Sequence, residues 1–196
     1  GEGGMITCND KNDYNIIHAL RAHGWDRGLK NSKSNFNFIN SGFNVRPSEI
    51  SAAIGYNQFK RLNKLKKIRF INRNKIISSL RSANKWDNQF TFVEADKKLQ
   101  PSWFGLPILI NKKFLPKKNR FLNYLNKCGI ETRPIISGNF INQKSIKLYN
   151  LNPNKTKFKG AQEIEDRGFF IGIHTELISD KKLSFIREKL LKISEI

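Results

Sequence analysis

Between Pro47 and Ser82 the apolar residues recur at helical spacing for longer than a small domain needs. Ile50, Ala53, Ile54, Phe59, Leu62, Leu65, Ile68, Ile76, Ile77 and Leu80 all fall on that period. Pro47 suits a first helical position, and Glu49 faces the positive end of the helix dipole. Unbroken, such a helix would extend about 50 Å at about 1.5 Å per residue. It must therefore bridge two bodies or bend, with Gly55 and Asn72 as the candidate bend points.

The segments on either side differ in character. Before it, residues 3–8 read as a strand leaving a glycine turn, and Asn9-Asp10 as a turn. A helix over Asp13–His23 follows, stopped by Gly24, and then a polar Asn/Ser-rich loop over Gly28–Gly42. After about Asn84 strands and helices alternate. Phe90–Val93, Trp103–Ile110, Ile130–Ile136 and Phe169–Ile173 read as strands, with Pro134 arguing for an edge position. Pro116–Lys127 and Ala161–Arg167 read as helices stopped by Gly129 and Gly168, and Ser179 caps a last one. The predicted division is a domain remnant over 1–46, a connecting helix over 47–83 and a small α/β domain over 84–196.

A net charge of +20 invites a nucleic-acid or anionic-surface reading. Yet the excess lysine is spread along the chain with abundant Asn, Ile and Phe. The best clusters are Lys60-Arg61, Lys64 with Lys66-Lys67, and Lys112-Lys113 with Lys117-Lys118. The first lies on a helix whose other positions are apolar, as a solvated face does. We read the charge as compositional bias, which sets nucleic acid aside as a partner while still favouring anionic small substrates. No apolar run approaches the ~20 residues of a membrane span. Cys8 and Cys128 lack metal-ligand spacing and fit a reducing cytoplasm.

Four motifs remain: Gly1-Glu2-Gly3-Gly4-Met5; Leu20-Arg21-Ala22-His23-Gly24-Trp25-Asp26-Arg27; Gly42-Phe43-Asn44-Val45-Arg46-Pro47-Ser48-Glu49 running into Ala52-Ala53-Ile54-Gly55; and Thr132-Arg133-Pro134 through Gly138-Asn139-Phe140, with Gly168 to Thr175 beyond. In this order they resemble the DegT/DnrJ family of nucleotide-sugar aminotransferases and dehydrases, over the whole chain. The resemblance implies an α/β chain forming the C-terminal portion of an aspartate-aminotransferase-like protein of fold type I. It also implies pyridoxal 5'-phosphate as cofactor, a nucleotide-linked 4-keto-6-deoxy sugar as substrate, glutamate as amino donor, and a cytoplasmic homodimer. The family's commonest setting is polysaccharide or lipopolysaccharide synthesis.

Residue by residue, the resemblance gives Asn44 a hydrogen bond to the phosphate of the neighbouring subunit's cofactor. An uncharged donor between Gly42 and Pro47 can approach an oxyanion closely, although an Asn also suits a turn before a helix. Arg46 could pair with a phosphate or with an acidic neighbour. His23 and Trp25, on a Gly-flanked segment after a helix, are candidate substrate contacts, as are Arg133, Asn139 and His174. A helix-terminal His equally suits a cap on the dipole.

The lysine that carries the cofactor would lie a few residues before Gly1, so no catalytic residue is assigned and the chain alone is expected to be inactive. Aminotransfer is favoured as the commoner activity. The alternative is 3-dehydration, in a branch where His replaces that lysine, because Arg-Ala-His-Gly-Trp and Ser-Gly-Asn-Phe look like that branch. A basic nucleic-acid-binding module and an inactive truncated product are the readings from other classes.

Overall fold

The structure, a computed structural model, describes residues 2–29, 36–96, 98–99, 101–151 and 154–196, without the side chains of 155 and 156. Gly1 of the first motif and residues 30–35 of the long polar loop lie outside the described residues. The chain forms two compact units, Gly1–Leu62 and Asn63–Ile196.

The first unit holds α1 (Lys11–Leu20) and α2 (Glu49–Phe59). Residues 3–8, expected as a strand, are irregular and exposed, and no strand among the described residues pairs with them. Without a partner their backbone groups turn to water instead. Helix α1 starts earlier than expected because Asp10 caps it, its Oδ1 accepting the Asn12 and Asp13 amides at 2.8 and 2.9 Å. It ends where His23 and Gly24 turn left-handed (φ 64° and 83°) and the Gly24 amide donates back to the Ala19 carbonyl at 2.8 Å. Ala19 is the one buried apolar residue of this unit among those described. Along α2 no residue is buried, and Ile50, Ile54, Tyr56 and Phe59 all face out.

The long apolar period is carried by two helices. After α2 the Arg61 amide bonds three residues back, to Gln58 at 3.0 Å, a 3₁₀ tightening. Helix α3 then runs Leu62–Arg81. The interruption falls at Lys60-Arg61, where apolar spacing lapses, whereas Gly55 and Asn72 sit inside continuous helices. Ser48, not Pro47, is the boundary residue of α2, its Oγ accepting the Ile50 amide at 3.2 Å.

The second unit is built on a four-stranded antiparallel sheet of β1 (Phe90–Phe92), β2 (Gly105–Ile110), β3 (Thr132–Arg133) and β4 (Gly168–Gly172), in the order β1-β2-β4-β3. Register places Ile108 opposite Phe169 and Leu106 opposite Ile171, so the alternation of both central strands aims one face inward. Onto it pack Ile76, Ile77 and Leu80 of α3, Phe121 and Leu125 of α4 (Lys118–Lys127), and Leu190 and Leu191 of α7 (Asp180–Leu191). Phe121 and Phe169 meet edge to face at 6.1 Å between centroids.

Strand β3 is short and at the edge, as Pro134 required, since proline has no amide to extend the ladder. Two further helices complete the unit, α5 (Ser145–Leu148), absent from the sequence expectation, and α6 (Lys159–Arg167).

The basic cluster Lys112–Lys118 makes its contacts within this unit. Lys112 pairs with Glu163 at 2.7 Å and Lys113 with Asp87 at 2.8 Å. Lys117 reaches the Ser194 carbonyl at 3.0 Å, and Lys118 the Asp166 carbonyl at 2.6 Å. At the C-terminus Glu195 accepts hydrogen bonds from Lys192 and from Lys85 (2.9 Å), which pull its carboxyl down to about 2.

Two measurements check this account. Phe169→Ala should cost the second unit about 3–5 kcal/mol in urea unfolding; a loss under about 1 kcal/mol would show that Phe169 is not central to the core. A depressed carboxyl lends stability above its ordinary pKa of about 4.3 and loses it as pH falls toward 2. Glu195→Gln should therefore be slightly less stable than the native chain at pH 7, the pair being solvent-screened. The two curves should converge between about pH 4.5 and 2, and a constant gap through that window would remove Glu195 from the C-terminal anchor.

Candidate functional site

In the first unit two separate motifs are zipped together by backbone hydrogen bonds. The Phe43 amide donates to the Leu20 carbonyl at 2.7 Å, His23 to Phe43 at 2.8 Å and Val45 to Arg21 at 3.0 Å. These bonds place Ala22 opposite Asn44 in an antiparallel bridge. Glycine is demanded at the crossing on both sides. A Cβ on Gly42 would lie 2.2 Å from the Gly24 nitrogen, and one on Gly24 would lie 1.6 Å from the Asn40 carbonyl oxygen.

The outcome for Asn44 is specific. Its residue is exposed, and its carboxamide makes no hydrogen bond among the described residues, while the neighbouring Phe43 and Val45 amides are committed to the crossing. Arg46 is likewise exposed, with no ion pair among the described residues. The segment therefore presents an uncommitted amide donor on a backbone fixed from both sides.

His23 lies beside this bridge, exposed, in the left-handed region. Trp25 is half-buried. Its indole stacks on Phe36 (5.3 Å, 8° between planes), lies 6.2 Å from Phe38, and has the Arg27 guanidinium 5.0 Å from its ring centroid. The Nε1–H is buried without a partner among the described residues. Asp26 is buried next to it and accepts the Asn37 amide at 2.8 Å.

In the second unit Arg133, Asn139 and His174 are distributed along β4 rather than gathered. Arg133 stands opposite Phe170 in the β3–β4 register, exposed, with its guanidinium held by Glu131 at 2.8 Å. Asn139 is tied to α6, which feeds the first residue of β4, whereas His174 lies beyond its last. A five-residue strand separates those ends by roughly 15 Å.

Asn139 is only 2% exposed. Its carboxamide donates to Gln162 Oε1 at 3.0 Å, and its backbone amide donates to Glu165 Oε2 at 2.7 Å. Asn142 adds bonds to Gln162 and Glu165, both at 2.9 Å. Gly138 (φ 61°) packs against the Glu165 side chain. This network fastens the 137–142 turn to α6 and leaves Asn139 turned inward. Lys118, which also anchors α6, has its ammonium pKa lowered by burial, partly offset by Asp166 and Glu165.

His174 is exposed, and its Nδ1 accepts the Glu176 amide at 3.1 Å. Its carbonyl accepts the Nδ2 of Asn72 at 3.0 Å. Asn72, read from the sequence only as a bend point, and Glu165 were not among the candidate site residues. A signal for Asn72 exists: it falls at four-residue spacing with Ile68, Ile76 and Leu80, an apolar stripe buried at its last two members, where a polar residue must find partners. A separate cavity of about 600 Å³ lies beside Phe70, Arg73, Glu94, Leu99 and Trp103, and none of the expected site residues lines it. No helix among the described residues is long and apolar enough to cross a membrane.

The chain is 31% identical over 201 residues to GDP-4-keto-6-deoxy-D-mannose 3-dehydratase of Escherichia coli O55:H7, covering 96% of this chain and 50% of that protein. It is 24% identical over 201 residues to a Campylobacter jejuni UDP-4-amino-4,6-dideoxy-N-acetyl-beta-L-altrosamine transaminase, covering 99% and 48%. The solved E. coli dehydratase with bound hydrated pyridoxal phosphate superposes with a TM-score of 0.77 at 28% identity, over 92% of this chain and 48% of that one.

The chain thus spans about half the length of the curated relatives it matches, and it shares over that half the mixed α/β fold of fold type I sugar-modifying enzymes. A family model described as the DegT/DnrJ/EryC1/StrS aminotransferase family matches residues 1–189. This chain belongs to that family.

Proposed function

We propose that these residues are the C-terminal part of an enzyme that uses pyridoxal phosphate to modify a nucleotide-linked 4-keto-6-deoxy sugar. The observation that carries the reading is the Gly24–Gly42 crossing, which leaves the Asn44 carboxamide exposed and uncommitted. A phosphate oxyanion needs rigidly held donors, and Asn44 fits that need. The rest of a cofactor pocket, including the residue that bonds the cofactor, belongs to sequence outside these 196 residues. Helix α2 exposes Ile50, Ile54, Tyr56 and Phe59 around its circumference with none of them buried, which supports treating residues 1–46 as a remnant of a larger domain. We take residues 47–83 as the helical connection and 84–196 as the small domain.

When bound, the cofactor supplies an electron sink for bonds adjacent to the sugar's keto carbon. The chain's own residues then bind and orient. Asn44 donates to the phosphate of the cofactor held by a second subunit, which makes the full-length protein a homodimer. Arg133, pre-aligned by Glu131, offers its fork to an anionic substrate group. His23 and His174 offer imidazole edges to sugar or phosphate oxygens. Trp25, packed by Phe36, shapes the wall near His23, and Asn139 holds the 137–142 turn.

Two reactions have specific support. 3-Dehydration is favoured by relatives at 31% and 28% identity, from Escherichia coli and Yersinia pseudotuberculosis, that carry that activity in their names. Aminotransfer, the reaction expected from the sequence, is supported by the matching transaminase and by the family's own description. Synthesis of a surface polysaccharide sugar in the cytoplasm suits either.

Two measurements on the full-length protein test the reading. Asn44→Ala should weaken pyridoxal phosphate binding about ten- to hundredfold, the loss of about 1.5–3 kcal/mol for a hydrogen bond to a charged group; unchanged affinity would remove Asn44 from the cofactor site. Incubation with pyridoxal phosphate, glutamate and GDP-4-keto-6-deoxymannose, read by mass spectrometry, separates the chemistries. Loss of the 3-hydroxyl supports dehydration and gain of an amino group supports aminotransfer. Unchanged substrate, with other 4-keto-6-deoxy nucleotide sugars also returned intact, would contradict the reading as a whole.

A further inference from the structure

Asn72 is 1% exposed in the middle of α3, and every hydrogen-bonding position of its carboxamide that the geometry uses points at one short segment. Nδ2 donates to the His174 carbonyl at 3.0 Å and to the Glu176 carbonyl at 2.7 Å, and Oδ1 accepts the Ile178 amide at 3.0 Å. One side chain thus fixes the backbone of 174–178, the connection from β4 to α7, from a helix about a hundred residues earlier in the chain. Within that fixed segment the Glu176 amide donates to His174 Nδ1 at 3.1 Å. A backbone N–H is only ever a donor, so Nδ1 must accept and the proton of the neutral ring must sit on Nε2.

We infer that Asn72 is a positioning residue that locks His174 into a single tautomer, an Nε2–H donor. His174 is exposed, and its Nε2 has no partner among the described residues. A free imidazole exchanges between tautomers and offers a donor or an acceptor in turn, whereas a locked one offers only a donor. That edge selects an oxygen acceptor: a keto, hydroxyl or phosphate oxygen of the sugar nucleotide. The choice of ligand rests on the substrate reading above, but the lock itself does not.

The test is the long-range ¹H–¹⁵N spectrum of the imidazoles in the 196-residue chain above their titration range. Only three histidines are present, and the His174 signals are identified by their loss in His174→Gln. In the native chain His174 should show Nδ1 at the unprotonated limit and Nε2 at the protonated limit. In Asn72→Ala both shifts should move toward the averaged values of a freely exchanging ring, and Asn72→Asp, which keeps shape and the Ile178 acceptor but loses the donors, should move them the same way. Averaged shifts in the native chain overturn the proposal whether or not either variant folds. Limit shifts retained in a folded variant overturn it equally. Cofactor and substrate take no part in this readout, so its failure leaves the proposed reaction standing, and failure of the reaction leaves the lock standing.

Discussion

The pairing of β2 with β4 is the interaction on which the second unit depends. It sets Leu106 against Ile171 and Ile108 against Phe169, closing one face of the sheet onto α3, α4 and α7. Because side chains alternate with period two, a one-residue slip would turn all of these outward. Arg133, held opposite Phe170, and His174, two residues past β4, inherit their positions from this register. These two exposed residues are therefore placed by the core rather than by their own loops.

Around that core, polar side chains work as fasteners. Asn72 ties the β4–α7 connection to α3, Glu165 and Gln162 tie the 137–142 turn to α6, and buried Gln89 bonds the Lys85 carbonyl and Ser194 Oγ. Each makes at least two hydrogen bonds, as a buried amide or partly buried carboxylate must. The first unit is organised differently, by glycines that let two backbones cross within van der Waals limits and by little apolar burial of its own. The crossing leaves Asn44 at the surface.

Much of this was legible in the sequence. Strand alternation and glycine or serine boundaries located β1, β2, β4 and the last helix, and Pro134 announced the edge strand, because periodicity and missing amides are local properties. The crossing of Gly24 with Gly42 was legible only as two motifs, since nothing local says that they touch. Residues 3–8 misled because β-branched Ile6 and Thr7 favour a strand only where another strand is available. Asn139 illustrates a different gap. A motif marks it as special, yet its partners Gln162 and Glu165 lie more than twenty residues away, and only the fold reveals that it faces inward. One of the lysine clusters read from the sequence is occupied by tertiary contacts, with Lys112, Lys113, Lys117 and Lys118 all bonded within the second unit.

The most direct test of the central claim is a crystal structure of the full-length protein with pyridoxal phosphate bound. Two subunits related by a twofold axis are expected, with the Asn44 Nδ2 of one within about 3 Å of a phosphate oxygen of the cofactor in the other. A phosphate held wholly by other residues, with Asn44 facing solvent, would contradict it.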